Sequence, residues 1–447
     1  MKHLETKSLD ALSNALRHLD EGFATLPGFE TSETSADRIP QVLLEVAERL
    51  RDNYPYFHPL YAGQMLKPPH PVARAAYALA MWINPNNHAL DGGRASSAME
   101  KEAVAQLAEM FGWREFLGHL TGGGTMANLE ALWVAGRLRP GETVVASASA
   151  HYTHGRISGV LQLPFESIST TPDGRMDCVA LERRVAAGGV GCVVATLGTT
   201  GMGSVDNLPE ILRLREKFGF RVHVDAAYGG YFTLADNLAP EARAAFDCAG
   251  QADSIVIDPH KHGLQPYGCG CVLFRDPAVG SLYKHDSPYT YFSSRDLHLG
   301  EISLECSRPG AAAVALWATQ RLLPLAKGGE FAAGLSLGRS AALAFTARLR
   351  TEPEKWLAPF EPTLDIVVWA PKAARASDVS ALSQRIFDRA ATLDLHLALI
   401  QLPASLFTGG GFESDQEHVL CLRSVLMKPE HAGWVEEIFA RLNLARG

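Results

Sequence analysis

A chain of 447 residues with 47% hydrophobic and 20% charged residues is too apolar for a disordered polymer, and long enough to bury a core without disulfide or metal staples. Its net charge of −8 and pI near 6.1 argue against a nucleic acid or an anionic membrane as partner, since both select a basic face. No run of 18 apolar residues occurs, the longest candidate being Ala75 to Ile83, and Met1 to Glu5 opens no apolar signal region; the expectation is a cytoplasmic protein without membrane contact.

Leu9 to Leu50 reads as helices broken near Pro27 and Pro40, with Leu43, Leu44, Val46, Ala47 and Leu50 on one apolar stripe. That stripe either covers the chain's own core or packs on a second subunit. From Ala98 the pattern alternates. Helices are expected over Ala98–Met110, Asn128–Leu138 and Leu208–Phe218. Strands are expected over Glu115–Thr121, Thr143–Ala148, Cys192–Leu197, Arg221–Val224, Ser254–Ile257 and Gly270–Phe274. Such alternation predicts an α/β fold: a mostly parallel sheet with helices on both faces and ligands at the carboxyl ends of strands. Beyond Arg308-Pro309-Gly310, an Ala- and Leu-rich helical stretch runs to Leu349, interrupted at Gly328-Gly329. A strand (Leu364–Ala370), a helix (Ser377–Thr392), two strands (Leu395–Gln401, His418–Val425) and a last helix (His431–Leu444) then form a small α+β unit. The expected organisation is an N-terminal helical segment over 1–95, a large ligand-binding domain over 96–335 and a small C-terminal domain over 336–447. The seven cysteines make no CxxC pair, and most are expected to be buried small apolar residues.

Four stretches carry chemistry. Thr121-Gly122-Gly123-Gly124-Thr125-Met126-Ala127-Asn128 lies between a strand and a helix, where backbone amides can approach an anion at a helix N-terminus. A phosphate site or a tight turn fits. A dinucleotide site would need an acidic residue closing the second strand, whereas Glu142 precedes its strand. His151 follows a strand; a lone histidine there is more often a satisfied structural residue than a functional one. His223-Val224-Asp225-Ala226-Ala227-Tyr228-Gly229-Gly230 ends a strand on a carboxylate that is costly to bury unless it meets a cation. A protonated ring nitrogen is one such cation. A metal on His223 and Asp225 is another, since residues i and i+2 share one face of a strand. Asp253 to Gly263 delivers Lys261 into a loop of His, Pro and Gly, whose cationic and desolvating groups would lower its pKa and make it an amine nucleophile. A solvated loop lysine is the alternative. A phosphate cradle, an aromatic ring partner, a carboxylate and a lysine, the last two 36 positions apart, together are what pyridoxal 5'-phosphate requires.

These strings, with Ala150-His151 and Gly198-Thr199-Thr200, stand in the order and spacing of the group II pyridoxal-phosphate-dependent amino-acid decarboxylases, which the chain resembles over roughly residues 40–440. The resemblance implies the type I PLP-dependent transferase fold (aspartate aminotransferase-like) and a homodimer with active sites at the interface. It implies that Lys261 is the Schiff-base lysine, with His260 beside it near the phosphate and Asp258 two positions earlier. Asp225 would pair with the pyridinium nitrogen, His151 stack on one ring face and Ala227 touch the other. Thr200 would lie near the ring 3-hydroxyl, and Gly123, Gly124 and Thr125 hold the phosphate. Tyr289 and Tyr291 fall in a stretch that resembles the family's catalytic loop in shorter form, where a tyrosine protonates the carbanion after CO2 leaves. The implied reaction is decarboxylation of an L-amino acid to its amine.

The chain departs from the aromatic and glutamate enzymes at Asp258, where they carry Asn, and from the aromatic enzymes at His262, where they carry Trp. Glu305-Cys306-Ser307-Arg308-Pro309-Gly310 is more similar to sphingosine-phosphate lyase and to archaeal tyrosine/aspartate decarboxylases, so carbon–carbon lyase chemistry is a rival. A metal hydrolase on His223, Asp225, Asp258, His260 and His262 is another. For an acidic substrate such as glutamate or aspartate, Arg94, Arg295, Arg308 and Arg423 are candidates to meet the distal carboxylate. Phe57, Tyr61, Trp82 and Tyr289 are candidates for an aromatic slot, and an aromatic L-amino acid is the substrate expected.

Overall fold

The computed structural model describes residues 6–30, 36–284, 296–407 and 412–447. The Val- and Ile-rich runs form strands buried along their whole length, as in a sheet covered on both faces. The large sheet contains β1 (Leu117–Thr121), β2 (Thr143–Ser147), β3 (Phe165–Ile168), β4 (Val190–Thr196), β5 (Arg221–Asp225), β6 (Ser254–Ile257) and β7 (Gly270–Phe274). Their order is β1-β7-β6-β5-β4-β2-β3. Only β7 runs against its neighbours, so the other six point one way. The loops after β1, β2, β4, β5 and β6 therefore open at one edge of the sheet, and they carry Gly123, His151, Thr200, Ala227 and Lys261.

Ahead of β1 lie α1 (Ser8–Glu21), α2 (Ile39–Leu50), α3 (Pro71–Met81) and α4 (Leu90–Met110), the last kinked at Gly93. α5 (Gly124–Leu138) follows β1 directly. α6 (Thr153–Val160), α7 (Cys178–Ala186), α8 (Leu208–Phe218) and α9 (Pro240–Asp247) make the crossovers between parallel strands. α10 (Gly310–Leu322) packs on α3 and α4. Among the described residues, no helix is long and apolar enough to cross a membrane. All seven cysteines are free, with Cys192, Cys269, Cys271 and Cys421 buried.

α11 (Glu330–Arg350) runs across residues 335 and 336, where the sequence reading sets a boundary. After it come β8 (Trp356–Leu357), β9 (Ile366–Pro371), α12 (Ala376–Ala391), β10 (Ala398–Pro403), β11 (His418–Val425) and α13 (Val435–Arg446). The four strands pair antiparallel in the order β10-β11-β9-β8, and Phe345, Trp369 and Phe439 fill the core beside them. Asp365, one residue ahead of β9, ties this unit to the large sheet: the Tyr228 hydroxyl donates to its Oδ1 at 2.5 Å. The helix expected over His431–Leu444 starts instead at Val435, after a short 3-10 turn over Pro429–Gly433.

Candidate active site

β1 ends at Thr121 and α5 begins at Gly124, so Gly122 and Gly123 make the whole turn. Gly123 takes φ +147°, ψ 174°, a conformation open essentially to glycine alone. A Cβ on Gly124 would stand 2.6 Å from Asp258 Oδ2. The first turn of α5, whose N–H groups have no partner in their own helix, lines a cavity of about 480 Å³. Glu305 reaches the same turn and accepts the Gly122 N–H at 3.0 Å through Oε2.

β5 delivers Asp225 to the cavity, 5% exposed. Its Oδ1 accepts the Ala227 N–H at 3.1 Å and its Oδ2 lies 2.9 Å from His154 Nε2. Burial alone would raise the Asp225 carboxyl. The His154 hydrogen bond, with Lys261 and the Ala227 amide, opposes it and holds the carboxyl well below the usual range. Behind Asp225, His223 Nε2 donates to Asn128 Oδ1 at 2.8 Å, while the Ser254 hydroxyl donates to His223 Nδ1 at 2.9 Å. Asn128 Nδ2 donates to Gly124 O at 2.8 Å, so β5 is tied to the glycine turn. Burial pushes His223 down to about 3.

His151 is half-buried, accepts the Thr153 N–H on Nδ1 at 3.2 Å and stacks on Tyr152. Burial lowers its pKa against the pull of Asp225. Lys261 Nζ lies 3.0 Å from Asp258 Oδ2, and His260 Nε2 lies 3.5 Å from the same oxygen. His260 Nδ1 donates to Cys269 O at 2.8 Å, and burial lowers the His260 pKa. Cationic neighbours are expected around Lys261 from the sequence; its close charged neighbour is instead the Asp258 carboxylate.

Gly123, Gly124, Thr125, His151, Thr200, Asp225, Ala227, Asp258, His260 and Lys261 all line this one cavity. Tyr289, Tyr291 and Arg295 lie outside the described residues. Arg308 is buried against Glu100 and Leu120 O, and Arg423 is buried in β11, where it donates to Gln64 Oε1. Arg94 and Trp82 are exposed, Phe57 borders other hollows, and Tyr61 packs among Tyr54, Tyr56 and His396. None of these six lines the cavity. The metal alternative also disperses: His223 uses both ring nitrogens within the protein, and His262 is turned towards Asp365 between Tyr228 and Phe232. Among the described residues, no three His, Cys, Asp or Glu side chains converge as an ion would need. His154 and Glu305 went unrecognised as site residues in the sequence. The only signal for His154 is its place three residues after His151.

The donor set suits a phosphorylated pyridine. It has a glycine turn with open amides, a buried carboxylate at the cavity wall, a primary amine, and an Asp258 Oδ1 with no hydrogen-bond partner among the described residues. A family profile described as the pyridoxal-dependent decarboxylase conserved domain matches residues 133–330. An L-tyrosine decarboxylase of Enterococcus faecium is 28% identical over 472 aligned positions, covering 80% of this chain and 77% of that protein. An L-aspartate decarboxylase of Thermococcus kodakarensis is 30% identical over 283 positions, covering 62% of this chain and 71% of that protein. The solved structure of Oryza sativa TDC with PLP and tryptamine superposes with a TM-score of 0.78 at 18% identity, over 100% of both chains. The fold is that of the type I PLP-dependent enzymes, as the motifs implied. The chain belongs to the pyridoxal-dependent decarboxylase family: it is a PLP-dependent carboxy-lyase acting on an amino acid.

Proposed function

We propose that this decarboxylase acts through Lys261 and Asp225 on an aromatic L-amino acid, as a homodimer with active sites at the interface. The observation that carries the site reading is that both residues line the cavity whose wall is the glycine turn of α5. When bound, pyridoxal phosphate supplies a carbonyl carbon for amines and a ring that accepts the electron pair left as CO2 departs. The open amides of Gly124 and Thr125, with the Thr125 hydroxyl, would hold its phosphate. Asp225 would keep a proton on its ring nitrogen. Lys261 Nζ, 3.0 Å from Asp258 Oδ2, is the amine that, once deprotonated, would attack a carbonyl carbon. His151 has Nδ1 taken by the Thr153 amide, so in its neutral form the proton is on Nε2. It can lie over a ring face and is one donor to the substrate Cα. By resemblance, Tyr289 or Tyr291 is the other. Thr200 would orient the ring 3-hydroxyl, with Ala227 against the opposite ring face and His260 beside the phosphate.

The walls favour a neutral side chain. Glu305 adds a carboxylate to those of Asp225 and Asp258, and Met126, Leu129 and Tyr228 add apolar surface. A distal carboxylate would meet repulsion at Glu305. The aspartate decarboxylase of Thermococcus kodakarensis supports an acidic substrate as the second reading. Seven free cysteines suit a reducing cytoplasm.

The test is to incubate the holoenzyme with each of the twenty amino acids and quantify CO2 and amine. Faster release from tyrosine, tryptophan or phenylalanine than from aspartate or glutamate is expected; the reverse order overturns the substrate reading. Lys261→Ala is expected to abolish release, and wild-type turnover by that variant would overturn the site reading. A 2-oxo acid without CO2, or cleavage of a side-chain carbon–carbon bond, would identify other PLP chemistry.

A further inference from the structure

We propose that His154 is a positioning residue: a neutral hydrogen-bond donor that fixes the Asp225 carboxylate and leaves its full negative charge to the ring nitrogen of the cofactor. The inference rests on the proposed pairing of Asp225 with that nitrogen. His154 stands in the first turn of α6 and is fully buried. It does not line the cavity, so it acts only through Asp225. Its Nε2 lies 2.9 Å from Asp225 Oδ2, while the Ala227 amide takes Oδ1 at 3.1 Å. Two donors from different elements, α6 and the turn after β5, fix the plane of the carboxylate. Its remaining lone pairs are left to the cavity.

The protonation state follows from the surroundings. His154 Nδ1 is buried and has no hydrogen-bond partner among the described residues. A proton there would be a buried N–H without an acceptor, whereas a bare lone pair costs less. The proton therefore sits on Nε2 and points at Asp225. The neighbouring ring of His223, 6.5 Å away, is neutral with both nitrogens satisfied, and adds no charge. A cationic His154 would cancel the Asp225 charge and weaken its hold on a protonated ring. A neutral donor stabilises the carboxylate by hydrogen bonding alone. This is the sense in which a supporting partner tunes a group that touches the ligand.

The experiment loads wild type, His154→Leu, His154→Gln and Asp225→Asn with PLP labelled with 15N in the ring and records the nitrogen shift by NMR. Cofactor Kd on the apoenzyme and the steady-state constants are measured in parallel. Wild type is expected to show a protonated ring nitrogen. His154→Leu is expected to move the shift towards the neutral value, raise Kd about tenfold and lower kcat about tenfold, equivalent to one pKa unit, with KM little changed. His154→Gln, which can place a donor near the Nε2 position, is expected to recover most of the shift and the affinity. If the leucine variant does not fold, His154→Met replaces it with the same expectation. A wild-type shift in the donor-free variant, alongside a lost one in Asp225→Asn, overturns the role of His154. So does a glutamine variant as impaired as the leucine one. A protonated ring in Asp225→Asn overturns the pairing of Asp225 itself.

Discussion

His223 shows how one buried side chain couples the site to pH. In the unfolded chain it titrates near 6.5, and in the fold burial pushes it down to about 3. A depressed folded pKa means that its contribution to stability is present above 6.5 and is lost as pH falls towards 3. His223→Asn is expected to cost about 1–3 kcal/mol at neutral pH, because Asn128 and Ser254 lose their buried partner. The variant has no ring to protonate, so the penalty should shrink by up to about 1.4 kcal/mol per pH unit below that window's upper edge. Urea unfolding of both proteins at pH 7, 6 and 5 measures this; a penalty that stays flat or grows on acidification contradicts a neutral His223. The residues legible in the sequence are those with a local reason to be unusual, such as a carboxylate closing an apolar strand at Asp225 or a lysine in a His-Pro-Gly loop at Lys261. His154 and Glu305 carry no such mark. Their contacts to Asp225 and Gly122 span 71 and 183 positions and exist only once the sheet edge is assembled.

The turn between β1 and α5 is the element on which cofactor affinity should depend most directly. The sequence reading starts the helix at Asn128, beyond the three glycines; the helix in fact begins at Gly124, where small size matters more than propensity. Gly123→Ala forces a side chain into the region near φ +147° at a cost of about 1–3 kcal/mol, and the strain falls on the amides that would meet the phosphate. Apoenzyme titrated with PLP should therefore bind at least about tenfold more weakly in this variant. Gly188→Asn, at φ +82° with open space around it, should bind as wild type does. Equal affinity for Gly123→Ala and wild type would remove the turn from the phosphate site. The same scale explains which elements escaped the sequence pattern. β3 has four residues with only Ile168 buried, and α6 and α9 have eight each, too short for a helical period to show. The fully buried strands β4, β6 and β7 lie within two residues of where the pattern sets them.

At the scale of the whole molecule, the unresolved demand is the N-terminal segment. α2 has 12 residues and buries none of them. Leu44 is 72% exposed, and Ile39, Val42, Leu43, Val46 and Leu50 are exposed beside it. A helix this short is marginal on its own, and a row of bare aliphatic side chains is unfavourable in water, so a covering surface is needed. The sequence leaves two readings of this stripe open, cover for the chain's own core or a partner subunit. The exposure of the whole helix favours the second, and Met81, Trp82 and Ile83, exposed at the end of α3, extend the apolar surface. A second copy of the chain is the occupant that fits the proposed homodimer. Wild type should then sediment near twice 48.3 kDa. Leu43→Glu with Leu44→Glu removes no buried contact within the chain, so it should keep the fold by circular dichroism and shift the protein towards monomer. If each active site is completed across the interface, decarboxylation should fall with the dimer fraction and return as protein concentration is raised. A wild-type monomer with full activity, or a double variant that stays dimeric, would show that α2 is not the dimer face.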